Sequence, residues 1–532
     1  MKEGEKYNSK NRYRYMDAIK ILWADDEIDL LKPHILFLEE KGYEVLSTQS
    51  GDEALDVLDE NRVDIVFLDE NMPGLSGLET LEKVKEKYPS LPVIMITKSE
   101  EEYIMEEAIG AKISDYLIKP VNPKQILLSI KKNLDTSRLV SEKSTSNYQR
   151  EFREIGMMLN DNLDNSEWVD LYKKLVHWEI ELDKSKESGM DEIFQMQKTE
   201  ANAQFGKFVE RNYVDWLNEP EYAPTMSHNV FKKHVIPEIK NDDTPVFFML
   251  IDNLRYDQWK AIRSILVKDY WIDEEDAFYS ILPTTTQYSR NAIFAGMMPA
   301  DIERKYPDKW VNDEDDGGKN LSEKFYIAEQ LKINGLNIKF SYNKVLNVSY
   351  GNKVLREVPD MFNNPLNVIV YNFVDMLSHA RTDTQIVKEL AADEAAYRSV
   401  VKSWFEHSTL LNIFKEIAAR GGKVVIATDH GSIRVKEPSK IVGDKDVNSN
   451  LRYKQGKSLD YNGKDVLAIK NPADAHLPKV NVSQSFVFAK EDKFFAYPNN
   501  YNHYVKYYKD TFQHGGISLE EMLIPVIKLS AR

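Results

Sequence analysis

The chain has 532 residues, and its 70 Lys and Arg against 86 Asp and Glu leave a net charge of −16. That balance excludes a protein whose whole surface tracks a nucleic-acid backbone, which needs an excess of cations to neutralise phosphates. The absence of cysteine excludes disulfides, thiolate zinc sites and thiol nucleophiles, so any metal must sit on His, Asp, Glu or hydroxyl ligands. No apolar run approaches the roughly 18–20 residues of a membrane span. Residues 1–16 are polar throughout and lack a signal-peptide core; they are expected to form a disordered extension, and the chain to be cytoplasmic.

From Ile19 onward, short apolar runs alternate with amphipathic stretches. Ile19–Ala24, Val45–Thr48, Asp64–Leu68, Leu91–Thr97 and Tyr116–Ile118 read as strands; Ile28–Glu40, Asp52–Glu60 and Lys124–Leu134 read as helices. Strands alternating with helices imply a parallel sheet covered on both faces, with its site beyond the carboxyl ends of the strands. Those ends carry Asp25 and Asp26, Asp69, Thr97 and Lys119. Three clustered carboxylates call for a hard cation such as Mg²⁺ between them, and a carboxylate beside that cation can attack a phosphoryl donor.

These residues, in DD, FLDENMPG, MITK and DYLIKP, make residues 17–135 resemble the flavodoxin-like receiver domains of two-component response regulators. The resemblance implies that Asp69 is the phosphoacceptor, modified by a sensor histidine kinase. It implies that Asp25, Asp26, Asp69 and Asn71 hold Mg²⁺, and that Thr97, Tyr116 and Lys119 form the switch.

Residues 136–240 read as a helical-bundle spacer. Thr136–Asn147 is a polar linker. Trp168, Leu171, Leu175, Trp178 and Leu182 then form one apolar stripe, and a second runs from Phe194 to Trp216 before Pro220 and Pro224 end it. The stripe fits a bundle core and a dimer contact alike. No helix-turn-helix with a basic recognition helix stands out, so direct promoter binding is not expected.

Three apolar runs in residues 241–532 each lead into an aspartate: Val246–Ile251 into Asp252, Val368–Val374 into Asp375, and Lys423–Thr428 into Asp429. Runs without alternation read as central parallel strands, so the three carboxylates converge on one crevice of a second α/β domain. His379, His430 and His514 accompany them. Mixed carboxylate and imidazole ligands suit Zn²⁺ or Mn²⁺, and their number suffices for two ions. The segment Leu282–Asn291 supplies hydroxyl nucleophiles just before a helical stretch. Arg290 is read either as an extra cation for a monoester or as a solvent-facing residue. Phe494–Phe512 is dense in aromatics and reads as a β-hairpin with inward rings, in preference to a base-stacking surface.

The order Asp252, PTxT loop, Asp375 with His379, DHG at Asp429–Gly431 and His514 resembles the PglZ branch of the alkaline phosphatase superfamily. It implies Thr286 as nucleophile, with Thr285 as the alternative one residue back. Asp252, Thr286, Asp429 and His430 would hold one Zn²⁺, and Asp375, His379 and His514 the other. The whole arrangement resembles the PorX-like response regulators of the type IX secretion system. The resemblance implies phosphorylation-promoted homodimerisation, phosphodiester hydrolysis of linear or cyclic oligonucleotides, and sigma-factor and secretion-system partners. Two other readings use the same residues: a phosphorylation-gated interaction protein with a mainly structural metal site, and a phosphomonoesterase.

Overall fold

A computed structural model describes residues 19–89, 91–98, 113–130, 133–134, 148, 150–185, 188–313, 315, 317–377, 391, 393–443, 448–499 and 501–532. The extension 1–16, the linker 136–147 and His379 lie outside the described residues. The chain divides into two compact units, Met1–Asn147 and Tyr148–Arg532.

In the first unit the order is β1 (Lys20–Ala24), α1 (Lys32–Glu40), β2 (Glu44–Thr48), α2 (Gly51–Glu60), β3 (Ile65–Asp69), α3 (Gly77–Lys87), β4 (Val93–Thr97), β5 (Asp115–Ile118) and α4 (Pro123–Ile130). The strands form one sheet, β2-β1-β3-β4-β5, with every neighbouring pair parallel. Unalternating strands are explained by burial on both faces. Leu22, Val66, Leu68, Val93 and Met95 pack with Ala54, Leu58, Leu81 and Val84 of α2 and α3. Ile21, Trp23, Ile65, Phe67, Ile94 and Ile96 pack with Leu38, Ile126 and Ile130 of α1 and α4. A reciprocal Ser76–Glu79 capping box starts α3 just after the Asp69 loop.

In the second unit a helical stretch over 150–160 precedes two long helices, α5 (Asn165–Ser185) and α6 (Ser188–Asn218). Its main sheet is built from β6 (Val246–Ile251), β7 (Tyr270–Tyr279), β8 (Phe340–Val345), β9 (Leu366–Tyr371), β10 (Lys423–Ala427) and β11 (Leu523–Ala531). The order is β7-β11-β10-β6-β9-β8. The run β10-β6-β9-β8 is parallel, and β11 lies antiparallel between β10 and β7. Helix α7 (Tyr256–Leu266) follows β6, a short helix α8 (Asn291–Ala295) follows the threonine loop, and α9 (Glu394–His407) precedes β10.

The middle helices share one apolar core with this sheet. The stripe Trp168–Leu182 is buried: Trp168 meets Phe205 and Phe208 of α6, Phe205 and Trp216 meet Tyr279 of β7, and Tyr172 meets Tyr256 of α7. Its apolar residues pack against α6 and α7 of the same unit.

Two local expectations are corrected. The strand predicted over Val368–Val374 ends at Tyr371, and Asp375 stands in a helical turn over 373–377; a short apolar run does not distinguish strand from buried helix. The hairpin predicted over Phe494–Phe512 is a strand, Lys493–Ala496, followed by helix α10 (Tyr501–Tyr508). Pro498 interrupts the strand, and His503–Tyr507 and Tyr504–Tyr508 stack at the four-residue helical step.

Candidate functional site

In the first unit Asp25 follows β1 directly and Asp69 ends β3. Asp25, Asp26 and Asp69 each bring an oxygen within 4.8 Å of the others. Asp25 and Asp69 are buried and Asp26 is exposed, as is the neighbouring Asn71. Lys119 reaches in from the end of β5, with Nζ 2.9 Å from Asp25 Oδ2 and 2.6 Å from Asp69 Oδ1. Burial, together with the Asp25 and Asp26 charges, raises the Asp69 carboxyl above the usual range despite the Lys119 hydrogen bond. Three carboxylates against one ammonium leave an excess of negative charge, and an all-oxygen donor set suits Mg²⁺. Thr97 donates its hydroxyl to Glu70, the residue after Asp69, and Tyr116 is 43% exposed on β5.

In the second unit Asp252 follows β6, Asp375 lies beyond β9 and Asp429 lies beyond β10. Since these are three adjacent parallel strands, their carboxyl ends open on one crevice. Two donor groups form there, each with ligand atoms within 4.8 Å: Asp252, Asp429 and His430, and Asp375, His430 and His514. His430 therefore lies in reach of both groups rather than only the first. Its ring stacks on His514 at 4.2 Å.

Both histidines are oriented by backbone. Nδ1–H of His430 donates to the Gly431 carbonyl at 3.1 Å, and Nδ1–H of His514 donates to the Thr284 carbonyl at 3.2 Å. Each Nε2 lone pair is thereby turned to the crevice, 3.8 Å from Asp252 and from Asp375 respectively. Such outer partners prepare imidazoles for a metal, and the carboxylate–imidazole set fits zinc.

The three threonines separate into distinct positions. Thr284 accepts from Gly515 N–H at 2.9 Å and donates to the Gly516 carbonyl at 3.0 Å, pinning the loop behind His514. Gly515, at φ +120°, takes a backbone conformation that a side chain would resist. Thr285 is the N-cap of a π-helical turn over Thr286–Arg290. Thr286 Oγ1 lies 3.1 Å from His430 Nε2 and 3.4 Å from Asp252 Oδ1. Of the two nucleophile candidates, Thr286 is the one whose hydroxyl meets the donor groups.

Arg290 does not face solvent. It is wholly buried, paired with Asp252 and, through Nε at 2.9 Å, with Asp429. Burial raises the Asp252 carboxyl, and Asp429 and Asp375 add to it against the pull of Arg290. Burial pushes the Asp429 carboxyl up as well, but Arg290, His430 and hydrogen bonds with Asp252 and Asn253 together hold it below the usual range. One guanidinium does not neutralise both, which leaves the crevice short of positive charge.

Sequence reasoning also missed Asn253. Its backbone takes the left-handed conformation (φ 59°), its N–H points to Asp429 at 3.3 Å and its amide donates to Asp375 at 3.4 Å. The available signal was an asparagine directly after a strand-end aspartate, since Asn tolerates that conformation.

Comparison with known proteins agrees with this anatomy. The family model for the response regulator receiver domain matches residues 21–131, the PorX response regulator linker domain matches 138–217, and the BREX system PglZ alkaline phosphatase-like domain matches 230–529, more than half of the chain. The transcriptional regulatory protein ResD of Bacillus subtilis (strain 168) is 34% identical over 112 residues, 21% of this chain and 46% of that one. The alkaline phosphatase synthesis transcriptional regulatory protein PhoP of the same organism is 29% identical over 127 residues, 24% of this chain and 52% of that one. The chain thus spans about half the length of these curated relatives. A CheY-like receiver domain from Methanospirillum hungatei JF-1 is 30% identical, with TM-score 0.22, over 23% of this chain and 96% of that one.

Fold and site together define a response regulator with an alkaline phosphatase-like output domain. The chain belongs to the PglZ alkaline phosphatase-like family, in the receiver, linker and PglZ order of PorX-like response regulators.

Proposed function

We propose that this response regulator is phosphorylated on Asp69 and that its output domain is a two-zinc phosphodiesterase with Thr286 as nucleophile. The observation that carries the reading is the Thr286 hydroxyl, set against Asp252 and His430 at the edge of both donor groups. Asp252, Thr286, Asp429 and His430 would hold one ion; Asp375, His379 and His514 the other, with His430 close to both. Bound there, two dications supply positive charge to the attacking and leaving oxygens of an in-line displacement.

The protein's part is positioning. Thr286 Oγ1 attacks phosphorus as its proton leaves, the bond to one ester oxygen breaks, and that oxygen takes up a proton. Water then cleaves the phosphothreonine ester and frees the hydroxyl. The diester preference follows from Arg290: a monoester carries an extra negative charge that calls for another cation, and Arg290 is occupied by Asp252 and Asp429. Oligonucleotide substrates, a kinase partner, homodimerisation and a role in type IX secretion rest on the PorX-like architecture. In the receiver, Asp25, Asp26, Asp69 and Asn71 would hold Mg²⁺.

The test is hydrolysis of a chromogenic diester and its monoester by the full chain, with zinc restored after chelation. Zinc-dependent diester cleavage, reduced at least about a thousandfold in Thr286→Val, supports the proposal. Absence of cleavage of either ester, with zinc binding confirmed, refutes it.

A further inference from the structure

A chain of buried ion pairs runs from the middle helices to the loops that carry the metal donors. Arg255 lies three residues beyond Asp252 and is wholly buried. Its Nε and Nη2 donate to the two carboxylate oxygens of Asp257 at 2.9 and 2.5 Å, Nη2 also pairs with Glu394, and Nη1 donates to the Ser432 carbonyl at 3.3 Å. The guanidinium faces the rings of Tyr397 and Phe512 at 5.6 and 5.2 Å. Ser432 is two residues past His430, and Phe512 is two before His514. The Tyr397 hydroxyl donates to the carbonyl of Val374, the neighbour of Asp375, at 3.5 Å. Arg255 therefore touches, directly or through one ring, each described segment that bears a carboxylate or imidazole donor.

The chain continues outward through Asp257, which accepts from Arg398 Nη1 at 2.9 Å. Arg398 pairs in turn with Asp183 and, at 3.7 Å, with Glu179, both on α5. Lys198 on α6 bridges Glu179 at 3.1 Å and Glu520 at 3.0 Å. The Glu520 carbonyl occupies the space a Cβ on Gly431 would need, 2.0 Å away, so the backbone behind His430 is wedged against it. Buried ion pairs of this kind rarely exceed apolar packing in stability. What a planar fork does provide is fixed spacing between carboxylates.

We infer that Arg255 and Arg398 are positioning residues that set the spacing of the metal donors, and that α5 and α6 are thereby part of the metal site's frame. This rests on the metal-dependent reading above, so the primary readout is zinc affinity rather than turnover.

The experiment measures zinc binding to the full chain by competition with a chromogenic chelator, alongside kcat and KM for the diester. Arg398→Lys keeps the charge and loses the fork. It is expected to weaken zinc binding about tenfold and to lower kcat with KM unchanged. Arg420→Lys, in an exposed pair with Glu416, should alter neither. If Arg398→Lys does not fold, Asp183→Asn removes the outer, 37% exposed partner and should weaken zinc binding about two- to threefold, below the range for a full outer-shell loss. Wild-type zinc affinity in whichever folded variant is measured overturns the inference. A wild-type chain that binds zinc tightly but cleaves no ester refutes the proposed reaction and leaves this test standing.

Discussion

Arg290→Met separates the charge role of the buried arginine from its packing role. Arg290 is wholly buried between Asp252 and Asp429, with Glu323 3.6 Å from Nη1. Methionine retains much of the stem's apolar volume and removes the guanidinium. Breaking a buried pair from one side costs roughly 3–5 kcal/mol, because the partner carboxylate stays behind uncompensated. Here two are left, so the metal-free protein should lose stability near the upper end of that range. A dication held by the same carboxylates restores the missing charge, so the zinc-loaded variant should lose only lost hydrogen bonds, roughly 1–3 kcal/mol. The assay is urea denaturation of wild type and variant, with chelator and with saturating zinc. The zinc increment should be larger in the variant by roughly 2 kcal/mol. Equal losses in the two conditions would refute the argument that zinc and Arg290 compensate the same carboxylates.

The receiver offers two further tests. Asp69→Asn should take up no phosphoryl group from a small-molecule donor by intact mass, and should show no donor-dependent change in sedimentation. Glu70→Ala removes the carboxylate that accepts the Thr97 hydroxyl. Since hydrogen bonds to charged groups are worth roughly 1.5–3 kcal/mol, steady-state phosphorylation should rise by at least about tenfold, and an unchanged level would show that the Glu70 contact does not restrain Thr97. His228 gives a pH test. Burial, then His476 and Lys233, lower it from 6.5 to about 4. The unfolded chain therefore takes up this proton as pH falls below 6.5 while the folded chain does not until about 4. Stability is lost across that window, by about 3 kcal/mol at most. His228→Gln should flatten that part of the stability profile; an unaltered acid slope would remove His228 as its source.

The donor-bearing loops were legible because their signal is local. An unalternating apolar run such as VFFMLI followed by Asp252 states both a central strand and a polar group at its end. The apolar stripe on α5 was equally visible, but not its partner. Core-facing and interface-facing stripes have the same periodicity, and only the tertiary structure sets Trp168 against α6 and Tyr172 against Tyr256. Arg255, Asp257 and Arg398 were invisible as a set. Each sits on a helix, or at its start, where charged residues normally face water, and no spacing rule connects Asp183 with Arg398 across 215 residues. Arg290 was noticed for its nearness to Thr286 and misread, since neither burial nor partners can be read from one position. The shared reach of His430 likewise depends on how two loops fold together.

The two units apply one charge scheme with different cations. Each gathers three aspartates at the carboxyl ends of parallel strands and places one basic side chain among them, leaving negative charge for metal ions to balance. The receiver uses Lys119, 14% exposed at the tip of a flexible stem. A compact ammonium can follow an oxygen as a phosphoryl group arrives and leaves, which would suit the modification proposed for Asp69. The C-terminal site uses Arg290, a rigid fork locked against two carboxylates and closed to solvent. A fork holds spacing rather than following charge, which would suit the proposed metal frame, with the proposed nucleophile on a separate loop. Exchanging the two cations would therefore be damaging in opposite ways: arginine at 119 would hold Asp25 and Asp69 in a fixed grip, and lysine at 290 would leave Asp252 and Asp429 without a common spacer.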